Sequence, residues 1–383
     1  MKESMVKQSV SFGKIAAVAL SLLALVAFGC KNDGKSGGDG SGQDSTKTDS
    51  IPDTLRYESE KHFKNVRRLT NGGNNAEAYF SFDGQSLSFQ SDFAEWGAKC
   101  DQIFMMPISG TVGKPAQRIS SGMGRTTCAY FLPGDKEILY ASTHLGADTC
   151  PAQPPRKVDG KYVWPVYDTY DIFVADLKGN FNRQLTNVKG YDAEGTVSPD
   201  GKTIVFTSTR SGDLELWTMG IDGSNPKQIT NTLGYDGGAF FSPDSKKLVW
   251  RASRPTTPED QKNYKDLLKK GLVEPGALEI FVANADGSDA KQVTNLGKAN
   301  WAPSWHPSGN KIIFASNHKG ETGRQFNLFV VNVDGTGLEQ ISFDQTFDAF
   351  PVFSPDGKYV AFSSNRFNGG GHDTNVYLAE WVE

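Results

Sequence analysis

Along most of the chain, apolar residues come in short β-rich runs separated by clusters of Ser, Pro, Asp and Gly, and the same order of runs and turns keeps returning. The plainest unit is Ala193 to Thr230. Its Ser-Pro-Asp-Gly turn is followed by a run at Thr203 to Ser208, a second run at Leu214 to Met219, an Asp-Gly turn and a closing Gln-Ile-Thr. Pro presets φ in the turn, Asp bonds back to the backbone and Gly supplies a positive φ. Runs this short, rich in β-branched and aromatic residues, read as strands. Four of them in roughly 40 to 50 residues is the size of one propeller blade.

The same turn recurs, with substitutions, at residues 81–84, 132–135, 198–201, 242–245, 306–309 and 354–357. Each is followed by an apolar run and then by a third-strand run, as at Ile103 to Met106, Ile172 to Ala175 and Val376 to Ala379. Five units close with a short Gln-apolar-Thr or Ser pattern, such as Gln184-Leu185-Thr186 and Gln340-Ile341-Ser342; the sixth ends at Glu383 without one. The missing strand is supplied by Val66-Arg67-Arg68-Leu69-Thr70, ahead of the first unit. Pairing it with the last unit would close the ring and remove free sheet edges. The expected fold is therefore all-β: one six-bladed β-propeller of four-stranded blades over residues 60–383, with the last blade closed by residues 66–70.

Composition fits this picture. The chain has 383 residues with 41 Gly and 18 Pro, which suits many tight turns, and its net charge of -4 with no basic run gives no reason to expect nucleic acid as a partner. The N-terminus is different. Lys7 and Lys14 precede an apolar stretch from Ile15 to Phe28 that ends in Gly29-Cys30. Residues 1–29 read as a secretory signal peptide, and Ala27-Phe28-Gly29-Cys30 resembles the bacterial lipobox, which makes Cys30 the expected lipidation site. Residues 30–59 then read as a tether, poor in apolar residues through Ser50. The expectation is export and lipid anchoring in the cell envelope, on the periplasmic side of the outer membrane or at the cell surface, with the membrane engaged only through the anchor.

The arrangement of S-P-D-G-K, apolar strand, S-x-R, Asp-Gly and Q-apolar-T resembles the TolB-type propeller repeat, also found in the propellers of prolyl oligopeptidase relatives, over roughly Lys64 to Glu383. The resemblance implies a propeller scaffold without the additional N-terminal α/β domain that TolB itself carries. Since the family's partner interfaces involve that domain, the resemblance does not carry a Tol-Pal role with it.

Function has to come from a site. The first residues of the inner strands read Asn75, Thr126, Asp192, Asp236, Asn300 and Asp348, and the exits of the second strands read Phe93, His144, Arg210, Arg254, His318 and Arg366. With Glu77 and Glu194 nearby, these form a ring of acids facing a ring of cations, expected at the channel mouth. One reading is that each Arg or His pairs with an acidic or amide neighbour and staples adjacent blades; the other is that Arg offers bidentate donors to an anionic ligand. Two insertions interrupt the same face. Residues 145–170 are rich in Pro and aromatics, including Trp164 and Tyr167, and residues 255–278 carry a helix with Thr257 as N-cap, Pro258 at its first position, and Tyr264, Leu267 and Leu268 on its packed side. This helix serves either as a lid or as plain packing. Of the three cysteines after Cys30, the expected disulfide is Cys128 with Cys150, tying the first insertion to the channel wall, with Cys100 left over.

The sequence holds no G-x-S-x-G elbow and no His-rich metal motif, so no catalytic residue, metal or cofactor is assigned. The expected function is a non-catalytic, monomeric envelope lipoprotein that binds a protein partner or a cell-wall or saccharide ligand at the insertion face. The alternative is a propeller lyase or glycoside hydrolase using channel carboxylates with His144 or His318.

Overall fold

The computed structural model describes residues 54–111 and 114–383. The expected signal peptide, Cys30 and the tether up to residue 53 lie outside the described residues. Within them are six antiparallel four-stranded sheets. Blade 1 runs Asn75–Phe80, Ser86–Ser91, Gln102–Pro107 and Gln117–Arg118; blade 2 runs Thr126–Phe131, Glu137–Ser142, Asp171–Asp176 and Phe181–Gln184. Blade 3 runs Asp192–Val197, Thr203–Ser208, Glu215–Gly220 and Lys227–Gln228; blade 4 runs Asp236–Phe241, Lys247–Ala252, Glu279–Asn284 and Lys291–Gln292. Blade 5 runs Asn300–Trp305, Lys311–Ser316, Asn327–Asn332 and Glu339–Gln340. Blade 6 runs Asp348–Phe353, Tyr359–Ser364 and Asn375–Trp381, and takes its outer strand, Phe63–Arg68, from the start of the folded chain. Each inner strand packs on the next around a closed circle, so the ring has six blades.

The repeated letters have local physical roles. In four of the turns a Ser hydroxyl donates to the Asp two residues on, at 2.6 to 2.7 Å for Ser81, Ser198, Ser242 and Ser354. The left-handed position falls to Gly201 (φ 73°) in blade 3, and Ser245 (φ 61°) fills it in blade 4. The closing Thr or Ser is a clasp. In every blade its hydroxyl accepts from the backbone N–H of the second residue of the third strand, from Ile103 to Ser120 at 3.0 Å, Ile172 to Thr186 at 2.9 Å, Leu216 to Thr230 at 2.8 Å and Ile280 to Thr294 at 2.9 Å. Leu328 to Ser342 at 2.8 Å and Val376 to Thr70 at 2.9 Å complete the set. Thr70 performs for blade 6 what the local Thr or Ser does elsewhere, which is why the N-terminal strand fits there.

Between blades the sheets bury aromatic layers, with Phe89, Phe104, Phe173, Phe206, Trp250, Phe314 and Phe362 all at most 1% exposed. The closing strand begins three residues earlier than expected, and the segment before it is packed too. Tyr57 donates to Asp344 at 2.5 Å and stacks on Phe367, while Glu60 is fully buried on Arg366. Residues 54–59, read as the end of a tether, thus belong to the folded part. Leu55 accepts from Arg366, which sets the start of the described chain on the face that also carries the insertions.

The helix of the second insertion, α1 (Pro258–Lys269), has the expected N-cap: Thr257 accepts from the Asp260 N–H at 3.1 Å. The first insertion forms a hairpin, Lys157–Val158 with Lys161–Tyr162, and then a two-residue strand, Trp164–Pro165, that pairs with Leu272–Val273 of the second insertion. The disulfide differs from the expected one. Cys100 bonds Cys150, and Cys128 is free and buried. The reason is direction: Cys128 sits at a backbone bulge with its sulfur turned to Glu77, while Cys100 and Cys150 lie in neighbouring loops with Cα atoms 6.1 Å apart, a normal disulfide span. The first insertion is therefore tied to blade 1. No helix among the described residues is long and apolar enough to cross a membrane.

Candidate functional site

Each inner strand carries a bulge, and its third residue takes a left-handed conformation: Glu77, Cys128, Glu194, Gly238, Ala302 and Phe350, with φ between 47° and 60°. These six residues face the central lumen. The lumen is small, about 30 Å³, room for about one water. Further along the inner strands Tyr79, Tyr130 and Phe240 pack together with centroids 5.6 to 6.3 Å apart. Toward the insertions, Trp164 packs on Trp301 at 4.9 Å and lies 5.6 Å from the Arg251 guanidinium.

Much of the polar lining is bonded within the lumen, although the Arg251 Nε is buried without a partner among the described residues. Glu194 accepts from the Tyr191 and Tyr235 hydroxyls at 3.1 and 2.5 Å, from Thr207 at 3.1 Å, from the Gly238 N–H at 2.5 Å and from Arg251 at 3.1 Å. Arg251 has room because its neighbours on the inner strand are Gly237 and Gly238; a Cβ on Gly238 would stand 1.8 Å from an Arg251 nitrogen. Glu77 receives the Cys128 S–H at 2.9 Å, and burial pushes its carboxyl up to about 7. Burial also raises the Cys128 thiol well above its ordinary range, which favours its protonated form.

The two expected rings are present but are not a mouth. Asp192, Asp236 and Asp348 are at most 1% exposed and bind Arg210, Arg254 and Arg366 of the same blade at 2.6, 2.7 and 2.8 Å. The guanidiniums lie flat on their own sheets, with Arg210 5.1 Å from the Phe206 ring, Arg254 4.8 Å from Phe281 and Arg366 4.9 Å from Phe362. Burial outweighs the Arg254 attraction at Asp236, whose carboxyl rises to about 6. His144 and His318 hold Ser142 and Ser316 in the same way, at 2.9 and 2.8 Å, and rest on Phe173 and Phe329. Burial lowers both imidazoles. Glu77 and Glu194 share the lumen without either His, so the set named for an enzyme is not brought together. No group of three or more His, Cys, Asp or Glu among the described residues could hold a metal ion.

The open feature is elsewhere on the insertion face. A cleft of about 950 Å³ lies between the two insertions above blade 3. One wall is Ala152 to Pro154 with Pro165 to Asp168; the other is α1 through Tyr264, Lys265, Leu268 and Lys269; Tyr191, Asp213 and Leu233 contribute the floor. The walls are braced against the scaffold. Tyr264 donates to Asp213, Val166 N–H donates to Gly271 at 2.7 Å, and Lys161 pairs with Glu274 at 2.9 Å. Of the aromatic candidates, Tyr167 and Tyr264 line this cleft, whereas Trp164 packs on Trp301 and near the Arg251 guanidinium. The helix is wall and packing at once.

Sequence reasoning missed Arg251, which stands in mid-strand rather than at a strand exit. Its signal was the Gly237-Gly238 pair opposite a large charged residue. It also passed over Asp213, Leu233 and Lys265, which belong to the cleft only through folding.

Comparison with known proteins gives a consistent picture. The profile of the TolB beta propeller domain matches residues 163–259 and 271–378. Among curated proteins, the Tol-Pal system protein TolB of Bordetella pertussis is 40% identical over 53 residues, which is 14% of this chain and 12% of that protein. An uncharacterised protein of Agrobacterium fabrum is 33% identical over 54 residues, 14% of this chain and 18% of that protein. These matches span under a fifth of the relatives' own length. Among solved structures, one described as a TolB from Agrobacterium tumefaciens superposes with a TM-score of 0.51 at 17% identity, covering 83% of this chain and 97% of that one. TolB from Acinetobacter baumannii gives 0.49 at 18% identity, covering 81% and 64%. At such identities the likeness shows the fold alone.

Proposed function

The chain belongs to the TolB beta propeller domain family, and from that premise we propose that it is a non-catalytic binding scaffold of the bacterial envelope whose working surface is the cleft walled by its two insertions. The observation that carries this reading is the contrast in space: the lumen has about 30 Å³ and its two carboxylates are bonded to lumen neighbours, whereas the cleft has about 950 Å³ and is walled by the segments that depart from the repeat. Sites of this size with a largely apolar lining and a few polar groups are the usual form of a ligand site. The leader-like segment, Cys30 and the tether support an exported, lipid-anchored protein, and the described chain starts on the cleft's own face. A partner in the envelope, either another protein or cell-wall material, is within reach of such a cleft.

The test is capture from solubilised envelope by the full-length protein and by a Leu268→Asp variant. Leu268 is half-buried in the cleft wall. Material retained by the natural chain and lost from the variant, with thermal unfolding unchanged, is the expected result. Equal capture by both would remove the cleft from consideration.

A further inference from the structure

Resting on that reading of the cleft, we infer the class of its occupant: an extended peptide segment with an apolar side chain flanked by acidic residues. The first ground is hydrogen-bonding capacity. The cleft contains three tyrosines, but their hydroxyls are already committed, Tyr264 to Asp213, Tyr167 to the Ala152 carbonyl at 3.1 Å and Tyr191 to Glu194 at 3.1 Å. Beside Gln153 and Thr209, the rest of the uncharged lining is largely aliphatic, from Pro154, Pro165, Leu233 and Leu268 with the buried Val166 and Leu272. A sugar carries a hydroxyl on nearly every carbon and would lose its water partners against such a surface, which costs free energy for each bond not replaced. An aliphatic or aromatic side chain would gain from the same surface.

The second ground is charge. On α1, Lys262 is paired with Asp266 at 2.5 Å, but the side chains of Lys265, Lys269 and Lys270, all exposed and all at the cleft, hold no hydrogen bond or ion pair among the described residues. Lys269 and Lys270 feel the Asp266 carboxylate only at a distance, and cations along one wall without a direct bond complement carboxylates. The opposite wall carries Asp168, exposed and likewise without a side-chain partner among the described residues. That acid opposes a uniformly anionic chain, such as a polyuronate filling the whole cleft, and favours a segment whose acids lie only along α1. Pro154, Pro165 and the disulfide at Cys150 stiffen the first wall, and the Thr257 cap and the Tyr264 to Asp213 bond hold the second, so little ordering is left for binding.

The test uses the full-length protein and three probes: a peptide with the core Glu-Leu-Glu-Phe-Glu, its lysine counterpart Lys-Leu-Lys-Phe-Lys, and a short oligosaccharide of uronic acids, each titrated calorimetrically. The acidic peptide is expected to bind, to weaken about tenfold in a Lys265→Glu, Lys269→Glu double variant and to lose affinity as salt rises from about 0.05 to about 0.5 M. Leu268→Asp should remove its binding altogether. Equal binding of both peptides, indifference to the lysine reversals, or no binding of the acidic peptide each overturns the inference, and preferential binding of the oligosaccharide overturns it in favour of a saccharide cleft. The two readings fail separately: if Leu268→Asp still abolishes envelope capture while no peptide binds, the cleft stands and the occupant class falls.

Discussion

Arg251 shows how much of the lumen depends on a single side chain and on what its neighbours lack. It reaches Glu194 and the Tyr235 hydroxyl only because Gly237 and Gly238 leave the inner strand bare. Gly238→Ala would place a methyl group inside the guanidinium at a residue already at φ 60°, and should destabilise the fold by about 2 to 4 kcal/mol, read from urea midpoints. Glu77 offers a pH test. Its carboxyl titrates near 4.5 in the unfolded chain and is raised to about 7 by burial in the fold. Between those values the folded chain keeps a proton that the unfolded chain has lost, so this group's contribution is full below about 4.5 and declines as pH rises through 7. Glu77→Gln should remove that decline, so the variant gains on the natural protein between pH 5 and pH 8 by up to roughly 3 kcal/mol. A difference between the two proteins that does not change with pH would refute the assignment. At this scale legibility was uneven. The Asp and Arg partners repeat by type and spacing and were readable as a set, although their burial placed them inside the blades. The lumen positions Glu, Cys, Glu, Gly, Ala and Phe share no chemistry, only a backbone conformation, and residue type does not report that.

At the scale of elements, the repeat was readable because each conserved letter solves a local hydrogen-bonding problem. The Thr or Ser after each outer strand caps a third-strand N–H that lies just past the end of the outer-strand pairing. Thr230→Val or Thr294→Val should leave that N–H unpaired and cost about 1 to 3 kcal/mol, visible as faster hydrogen exchange at Leu216 or Ile280. Helix α1 was also legible, cap included, because N-cap chemistry is local. Thr257→Ala should cost about 1 kcal/mol and loosen the cleft wall more than the propeller, so exchange should rise in α1 ahead of the blades. The disulfide and the cleft were not legible. Both depend on which loops of different blades meet, and nothing within one repeat encodes that meeting.

At the scale of the whole molecule, the outer strand of blade 6 was located from a strand missing at one end of the chain and a surplus one at the other, an argument from bookkeeping of edges alone. The structure adds a second lock beside it: Arg366 binds both Glu60 and Asp348 at 2.8 Å with all three side chains buried. Removing residues 54–70 would therefore bare the edge of Asn375–Trp381 and leave Arg366 short of a partner, and the truncated protein should self-associate more than the intact chain in size-exclusion chromatography. The same closure sets an order in time. Phe63 pairs with Trp381, so the closing strand has to wait until the third strand of blade 6 has been made. Until then five blades can form but the ring cannot shut, and the waiting strand and the open side of blade 1 are the exposed surfaces of an incomplete chain. For this protein the ring shuts only once Asn375–Trp381 is available to the waiting strand.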